Sequence, residues 1–412
     1  MSDIAASPHL KRDVVALSLM TLCYAAFQGM CQTLVPLSMA HLALTKTTIG
    51  LMQAVPGVVI ILLGAPFARM ANGRWRRETL TFCFSLTLIA SLLYSRASRP
   101  VDFIAQQLLF GLSSTAFWSN MLATSFRLGQ GTRQGKIQTY ITTMQGVGAF
   151  GGPLLSGYLS TRSYAYGFYA GVLCAVAGLI ASRLISRSQA IEPRVGTREF
   201  FAGAYVRLFS VITRRPIVIL GMGFVSMSCF LLYVMGGSFY LVYASQIGLS
   251  AFVAAALVSG RDAISAVLRM GFGTITRYIS PVALLGVGIV LGAFSLSLLP
   301  MGTSLLSVGA VAVAQGIFLA FLPPAVNTLI GTSTAPEEQA FAITGMNTSN
   351  LVAQTTMSPL LGLLLNNYGY RTVYPVIGGV WICLALLVLR AGVQLMRRNA
   401  VPGQAIATSS AG

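Results

Sequence analysis

The residue pair with the clearest capacity for chemistry is Arg261-Asp262, in the middle of a long apolar run. An ionisable side chain inside a membrane is costly and marks a functional site by default. Ser259, Ser265 and Arg269 stand at i−3, i+3 and i+7 from Asp262, so a helix presents these residues on one face. Neighbouring residues point about 100° apart on a helix, so Arg261 and Asp262 need not pair directly.

Two kinds of chemistry suit Asp262. Burial raises the proton affinity of a carboxylate and a nearby arginine or water lowers it, so the group can bind and release a proton as its surroundings change. Alternatively, Asp262 and Arg261 anchor neighbouring helices through hydrogen bonds, and Arg261 can instead bind an anionic group of a substrate. We expect Asp262 to be the proton-coupling residue, because it is the only carboxylate deep within an apolar run.

No other set of residues points to catalysis. The histidines His9 and His41 lie far apart, and the six cysteines lie in apolar runs without the spacing of metal ligands. The chain also has no phosphate-binding Gly-x-x-x-x-Gly-Lys-[Ser/Thr] loop. We therefore expect neither an enzyme nor an ATP-driven pump, and no cofactor or metal.

A second informative segment runs from Gly148 to Gly157 and reads Gly-Ala-Phe-Gly-Gly-Pro-Leu-Leu-Ser-Gly. Glycines on a membrane helix allow a neighbouring backbone to approach closely, and Pro153 removes a backbone donor and loosens the helix. Gly148, Gly152, Pro153 and Gly157 therefore predict a helix that moves against a partner. The alternative is a generic glycine packing face.

The composition predicts that membrane helices carry these residues. Hydrophobic residues make up 55% of 412 and charged residues 9%, and the mean hydropathy is +0.76. Apolar runs of about 20 residues can each cross a bilayer as a helix. We predict an all-α integral membrane protein with about twelve spans, near residues 14–38, 47–68, 79–97, 102–125, 137–160, 165–186, 216–244, 251–273, 281–300, 304–330, 339–365 and 372–394.

The charged residues lie mainly between the spans, and the formal net charge is +18. With a cytoplasmic amino terminus, most Lys and Arg residues fall inside, which is the positive-inside rule. Few basic residues fall outside: Lys46, Arg96, Arg99, Arg162 and Arg371. This asymmetry explains the basic pI without a nucleic-acid partner. We expect a multi-pass protein of the cytoplasmic (inner) membrane, embedded in lipid, with both termini in the cytoplasm.

A long basic loop divides the chain into two halves. We predict an N-terminal six-helix half at 1–186, a cytoplasmic central loop at 187–215, a C-terminal six-helix half at 216–396 and a cytoplasmic tail at 397–412. Gly152-Pro153-Leu-Leu in the fifth span is matched by Ser358-Pro359-Leu-Leu in the eleventh. Two halves in the same orientation with a cavity between them form the parallel-repeat architecture of a rocking transporter.

The segment Gly64-Ala-Pro-Phe-Ala68-Arg69-Met-Ala-Asn-Gly73-Arg74 resembles the Gly-x-x-x-Asp-Arg-x-Gly-Arg-Arg signature of the major facilitator superfamily. The resemblance to this family extends over nearly the whole chain. It implies that Gly64, Arg69, Gly73 and Arg74 help to latch the two halves on the cytoplasmic side. Ala68 replaces the family's aspartate, so the charge network of this latch is incomplete.

The segment from Gly148 to Gly157 resembles the antiporter motif of the family, Gly-x-x-x-Gly-Pro-x-x-Gly-Gly, with Ser156 in place of one glycine. In the family this motif is associated with proton-driven exporters. Gln107 in span four stands where proton-linked members carry an arginine. An uncharged residue there leaves the proton step to Asp262.

The resemblance also implies that spans 1, 4, 7 and 10 line a central cavity. Polar and aromatic residues of these spans are candidate substrate-binding residues together with Arg261: Gln28, Gln32, Trp118, Asn120, Tyr233, Tyr240, Gln315 and Asn327. Each of them alone is more typical of an interhelical hydrogen bond. Together they describe an aromatic, amide-rich cavity, which favours a moderately polar organic molecule over a bare inorganic ion.

We therefore expect a secondary active transporter, a proton-coupled antiporter that exports a small organic molecule and acts as a monomer. A proton-coupled uptake permease of a small metabolite is the first alternative. A non-transporting membrane sensor of the same fold is the second. Intramembrane charge and a glycine hinge favour transport, since a sensor needs neither.

Overall fold

The computed structural model describes residues 8–72, 75–128, 134–186, 213, 216–276, 278–333 and 336–399, and within these ranges no residue forms a strand. Connectors of a few residues make successive helices antiparallel. The helices of the first half are Pro8–His41 (span 1), Lys46–Asn72 (span 2), Arg76–Tyr94 (span 3), Pro100–Leu128 (span 4), Gln134–Ser160 (span 5) and Tyr164–Leu184 (span 6).

The second half contains one composite span. Span 7 consists of the α-helix Pro216–Cys229, the π-helix Phe230–Phe239 and the α-helix Tyr240–Gln246. Gly369, with φ 72°, divides the last long helix into spans 11 and 12, in a left-handed conformation that glycine adopts at little steric cost. The remaining helices are Ala251–Met270 (span 8), the short Phe272–Ile275, Pro281–Leu298 (span 9), the 3₁₀ turn Leu299–Met301, Leu305–Ser333 (span 10) and Pro336–Asn399 (spans 11 and 12).

Every predicted span falls on one of these helices, which confirms the all-α membrane fold. Eight helices of the described ranges are long and apolar enough to cross a membrane, and one of the eight includes both spans 11 and 12. Spans 3, 4 and 5 are less apolar. Span 4, for example, buries the polar side chains of Ser113, Thr115 and Asn120 against its neighbours. Mean hydropathy therefore understates the membrane-spanning character of helices that bury polar side chains against their neighbours.

The buried apolar side chains form two clusters. The first combines residues of spans 1 to 6 with Val242 of span 7. The second combines residues of spans 7 to 12 with Leu37 of span 1. Each cluster thus takes one residue from the other half of the chain, so spans 1 and 7 pack across the boundary between the clusters.

Candidate functional site

Spans 5 and 8 touch at one end and part further along. A methyl group added at Gly157 would lie 2.5 Å from the Cβ of Ala255. Two turns before Gly157 on span 5, the Phe150 carbonyl accepts a hydrogen bond from the Ser259 hydroxyl of span 8 over 3.0 Å. Gly146 is on the same face of span 5, yet a methyl group there would meet nothing within 4 Å. The two helices therefore separate between Phe150 and Gly146.

Spans 2 and 11 show the same arrangement. Methyl groups added at Gly50 and Gly362 would collide with the carbonyl oxygens of Ser358 and Lys46. Gly64 follows on the same face of span 2 as Gly50, and a methyl group there would meet nothing within 4 Å. We call the end where both helix pairs touch the closed end. It contains the starts of spans 2 and 8 and the ends of spans 5 and 11.

A lysine also bridges the halves at the closed end. Lys46 Nζ donates to the Leu365 carbonyl of span 11 over 3.2 Å. It also lies 4.8 Å from the centroid of the Tyr370 ring, within the range of a cation–π contact. The partners of Lys46 are more than 300 residues away in the chain, so the sequence indicates this residue only as one of the few basic residues outside.

Asp262 lies on span 8 just beyond the point where spans 5 and 8 part. Its side chain is 25% exposed, whereas that of Arg261 is 9% exposed, and Arg261 Nε donates to Asp262 Oδ1 over 2.9 Å. The two adjacent residues therefore do pair. Helix geometry separates their Cβ atoms, but the long arginine side chain curls back to the carboxylate.

The same guanidinium reaches span 7. Arg261 Nη1 donates to the Gly236 carbonyl over 2.9 Å and to the Leu232 carbonyl over 3.5 Å, both within the π-helix. Because these hydrogen bonds are formed, Arg261 connects spans 7 and 8 in this conformation and does not present its guanidinium to a substrate. The π-helix was not predicted. The Gly236-Gly237 pair inside an apolar run is its only local signal in the sequence.

The predicted polar stripe on span 8 divides between two neighbouring helices. Ser259 bonds to span 5, as described above. Arg269 Nη2 donates to Ser265 Oγ over 3.1 Å and to the Leu319 carbonyl of span 10 over 3.4 Å. The stripe thus contacts both halves of the molecule.

Asp262 is not the most buried carboxylate, which corrects the expectation from sequence. The Asp13 side chain is only 7% exposed and accepts hydrogen bonds from the Ser186 amide and hydroxyl over 3.1 and 3.0 Å. Arg76 Nη2 donates to the Ser186 carbonyl over 3.1 Å. Asp13 is buried by helix ends that converge on Ser186, an arrangement that hydropathy along the chain does not reveal.

Four of the predicted cavity residues have accessible side chains. Trp118 Nε1 donates to Gln28 Oε1 over 3.1 Å and joins spans 1 and 4. Both residues are half-buried, and Gln32 is exposed one turn further along span 1. Tyr233, on the π-helix, is 40% exposed. These side chains are available to contact a ligand in this conformation.

Three other candidates are buried within the helix packing and are not accessible to a ligand in this conformation. Asn120 is fully buried and donates to the Ala116 carbonyl of its own helix over 2.8 Å. Tyr240 donates to the Val308 carbonyl over 2.9 Å. Gln315 Nε2 donates to the Gly292 carbonyl and to Ser295 Oγ, both over 2.9 Å, and its Oε1 has no partner. The side chain of Asn327 lies outside the described part.

The glycines of the Gly148–Gly157 segment face two different partners. A methyl group at Gly148 would lie 2.5 Å from the Leu22 carbonyl, and one at Gly152 would collide with the Ala26 carbonyl. Gly148 and Gly152 therefore pack on span 1 within their own half. Pro153 also faces span 1, where its ring approaches Gly29. Gly157 alone meets the other half, because it is the member nearest the closed end.

The remaining motif residues give less structural information. Gly64 lies on span 2, but the side chain of Arg69 and all of Gly73 and Arg74 lie outside the described residues. Gln107, which replaces the family's arginine, accepts a hydrogen bond from the Tyr94 hydroxyl over 3.2 Å. It links spans 3 and 4 within one half.

Among the described residues, no group of three or more His, Cys, Asp or Glu side chains is arranged to hold a metal ion. A family model matches the sequence of the chain, and solved transporter structures share its fold. The family model for the Major Facilitator Superfamily matches residues 17–312 and 238–406. No curated protein is detectably similar in sequence.

Solved transporter structures share the fold at low sequence identity. The nucleoside transporter NupG is 13% identical with a TM-score of 0.75, over 92% of this chain and 98% of that chain. A bacterial homologue of the human lysosomal transporter Spinster, in an inward-facing and unoccupied conformation, is 13% identical with a TM-score of 0.73. The similarity covers 96% of this chain and 99% of that chain. A POT family transporter in complex with 5-aminolevulinic acid is 15% identical with a TM-score of 0.77, over 93% of this chain and 96% of that chain. The chain therefore belongs to the major facilitator superfamily and is a multi-pass membrane transporter, not an enzyme.

Proposed function

We propose that the protein is a proton-coupled antiporter that exports a small organic molecule across the cytoplasmic (inner) membrane. One observation carries the proton coupling. Asp262 is a partly exposed carboxylate at the point where spans 5 and 8 part, paired with a buried arginine. A carboxylate in this position meets water from the open side and loses it when the halves close, which changes its proton affinity.

The orientation follows from loop charge. With both termini in the cytoplasm, the closed end faces outward and the gap between the halves faces inward. The two halves, 1–186 and 216–396, then rock about the site as a monomer, and the central loop 187–215 and the tail 397–412 lie in the cytoplasm. A substrate entering from the cytoplasm would reach Asp262 directly, which fits export.

The accessible side chains favour a moderately polar organic substrate. Gln28, Gln32, Trp118 and Tyr233 offer amide and aromatic groups rather than a cage of charges. Such groups recognise a molecule through stacking and a few hydrogen bonds. The export direction rests on the resemblance of the Gly148–Gly157 segment to the antiporter motif.

Flux in proteoliposomes with an imposed proton gradient tests the proposal. A panel of small organic molecules is screened for movement that depends on the gradient. Asp262→Asn should abolish gradient-driven movement while the protein remains folded, because the amide cannot bind and release a proton. Asp13→Asn and Asp102→Asn are the matched controls, since these carboxylates lie at helix ends, and both should keep coupled transport.

Two outcomes would change the conclusion. Full gradient-driven transport in the Asp262→Asn protein would remove this residue from proton coupling. If expression of the protein in cells raises the internal level of the substrate, driven by the proton gradient, the protein is an uptake permease and not an exporter.

A further inference from the structure

The π-helix of span 7 is held by side chains from other helices. π-helices usually form a single turn and occur often at functional sites, whereas this one extends over Phe230–Phe239. The Tyr374 hydroxyl donates to the Met235 carbonyl over 2.9 Å, and the Tyr370 hydroxyl donates to the Phe239 carbonyl over 3.0 Å. Arg261 holds the carbonyls of Leu232 and Gly236.

Arg261 differs from the two tyrosines because its partner Asp262 can change charge. A guanidinium stays protonated in proteins, so only the carboxylate can alter the charge of the pair. Among the described residues, the other charged or titratable groups around this pair are Tyr233 on the π-helix, Tyr240 directly after it and Arg269 further along span 8. Arg269 bonds to Ser265 and to the Leu319 carbonyl.

We propose that Arg261 is a positioning residue that transmits the protonation of Asp262 to the π-helix of span 7. The inference rests on the proposed proton coupling. When water supplies a proton to the Asp262 carboxylate, the buried guanidinium loses its counter-charge. An uncompensated buried charge is strongly destabilising, so the guanidinium turns towards water and releases the Leu232 and Gly236 carbonyls. The freed segment then reverts from π to α geometry.

This change reaches the closed end through the last part of span 7. The helix Tyr240–Gln246 directly follows the π-helix, and its Val242 packs in the core cluster of the first half. A π turn holds more residues than the 3.6 of an α turn. Its conversion therefore rotates and shifts Tyr240–Gln246 relative to span 1 and loosens the contact between the halves.

The distance between spans 1 and 7 at the closed end tests the inference. Nitroxide labels are attached to Leu42→Cys and Gln246→Cys, both exposed positions, in a protein whose six native cysteines are replaced. Pulsed electron paramagnetic resonance then measures the distance between them in lipid nanodiscs, without substrate, across a pH series. The control pair Leu42→Cys and Thr161→Cys lies within one half and should not respond to pH.

With Arg261 intact, the labelled protein should populate a longer distance as the pH falls, and Asp262→Asn should show that longer distance at every pH. Arg261→Lys keeps the positive charge but lacks the planar fork that reaches Asp262 and two carbonyls together. It should lose most of the pH-dependent shift. A full shift in Arg261→Lys, or no shift with Arg261 and Asp262 both intact, would overturn the proposal.

Gly236→Ala tests the π-helix itself and keeps the proposal decidable if Arg261→Lys does not fold. The added methyl group would lie 2.7 Å from the Leu231 carbonyl and 3.1 Å from Gln315 Oε1. It should therefore favour the longer distance at every pH although Arg261 and Asp262 are intact. Distances that match those of the unsubstituted protein across the series would exclude the π-helix as the moving element. The proteoliposome assay separately tests whether Asp262 couples protons to transport. Gradient-driven flux that survives Asp262→Asn would contradict that proposed role.

Discussion

At the scale of single residues, adjacent glycines of span 5 have opposite environments. The carbonyl that Gly152 faces on span 1 belongs to the backbone and cannot move aside, whereas a methyl group at Gly151 would meet nothing within 4 Å. Small residues at such positions let membrane helices pack closely. The importance of a glycine in this motif is therefore set by the helix face it occupies.

Gly152→Ala should lower the thermal stability of the purified protein, because overpacking of this kind costs about 1–3 kcal/mol. Gly151→Ala is the matched control and should leave the unfolding temperature unchanged. Unfolding is followed in detergent by a fluorescence-monitored thermal scan. Equal stabilities of the two variants would contradict the close contact between spans 1 and 5.

At the scale of helices, both crossings at the closed end leave no room for an added side chain. Gly157 packs against the Cβ of Ala255, and Gly362 packs against the backbone of Lys46. Both leucines should wedge the halves apart, shift the closed-to-open ratio by roughly tenfold and slow efflux or make the protein leaky. Gly151→Leu, with open space, is the control in the same transport assay.

The Lys46 bridge gives a second prediction for the crossing of spans 2 and 11. Lys46→Met keeps the length of the side chain but removes the hydrogen bond to Leu365 and the contact with the Tyr370 ring. A loss of about 1–2 kcal/mol is expected, so the closed end should open more often. The rate of maleimide labelling at Thr47→Cys should rise roughly tenfold. An unchanged rate would show that the bridge does not hold the end shut.

At the scale of the whole molecule, loop charge predicts which way the closed end faces. Reporter proteins that work only outside the cytoplasm should be active when fused after Ser160 or Ser245, at the closed end. They should be silent when fused after Arg77 or Arg194, because the positive-inside rule places these positions in the cytoplasm. The reversed pattern would invert the orientation and make the gap between the halves face outward.

The features that depend on local composition could be predicted from the residues alone. Apolar runs long enough to cross a bilayer have few alternatives to helix, so all twelve spans and the approximate helix ends could be predicted. The isolated carboxylate Asp262 and the glycine cluster of span 5 were also visible, because each contrasts with its apolar surroundings.

Which side chains meet depends on how the helices pack, and this could not be predicted from the sequence. Asp13 is more buried than Asp262 because helix ends converge on Ser186, and Gln315 faces a helix interface instead of the cavity. The π-helix of span 7 also depends on distant donors, Arg261, Tyr370 and Tyr374. Helix formation follows from local hydrogen bonding and hydropathy, whereas the face that each helix turns to its neighbours is set by contacts between residues far apart in the chain.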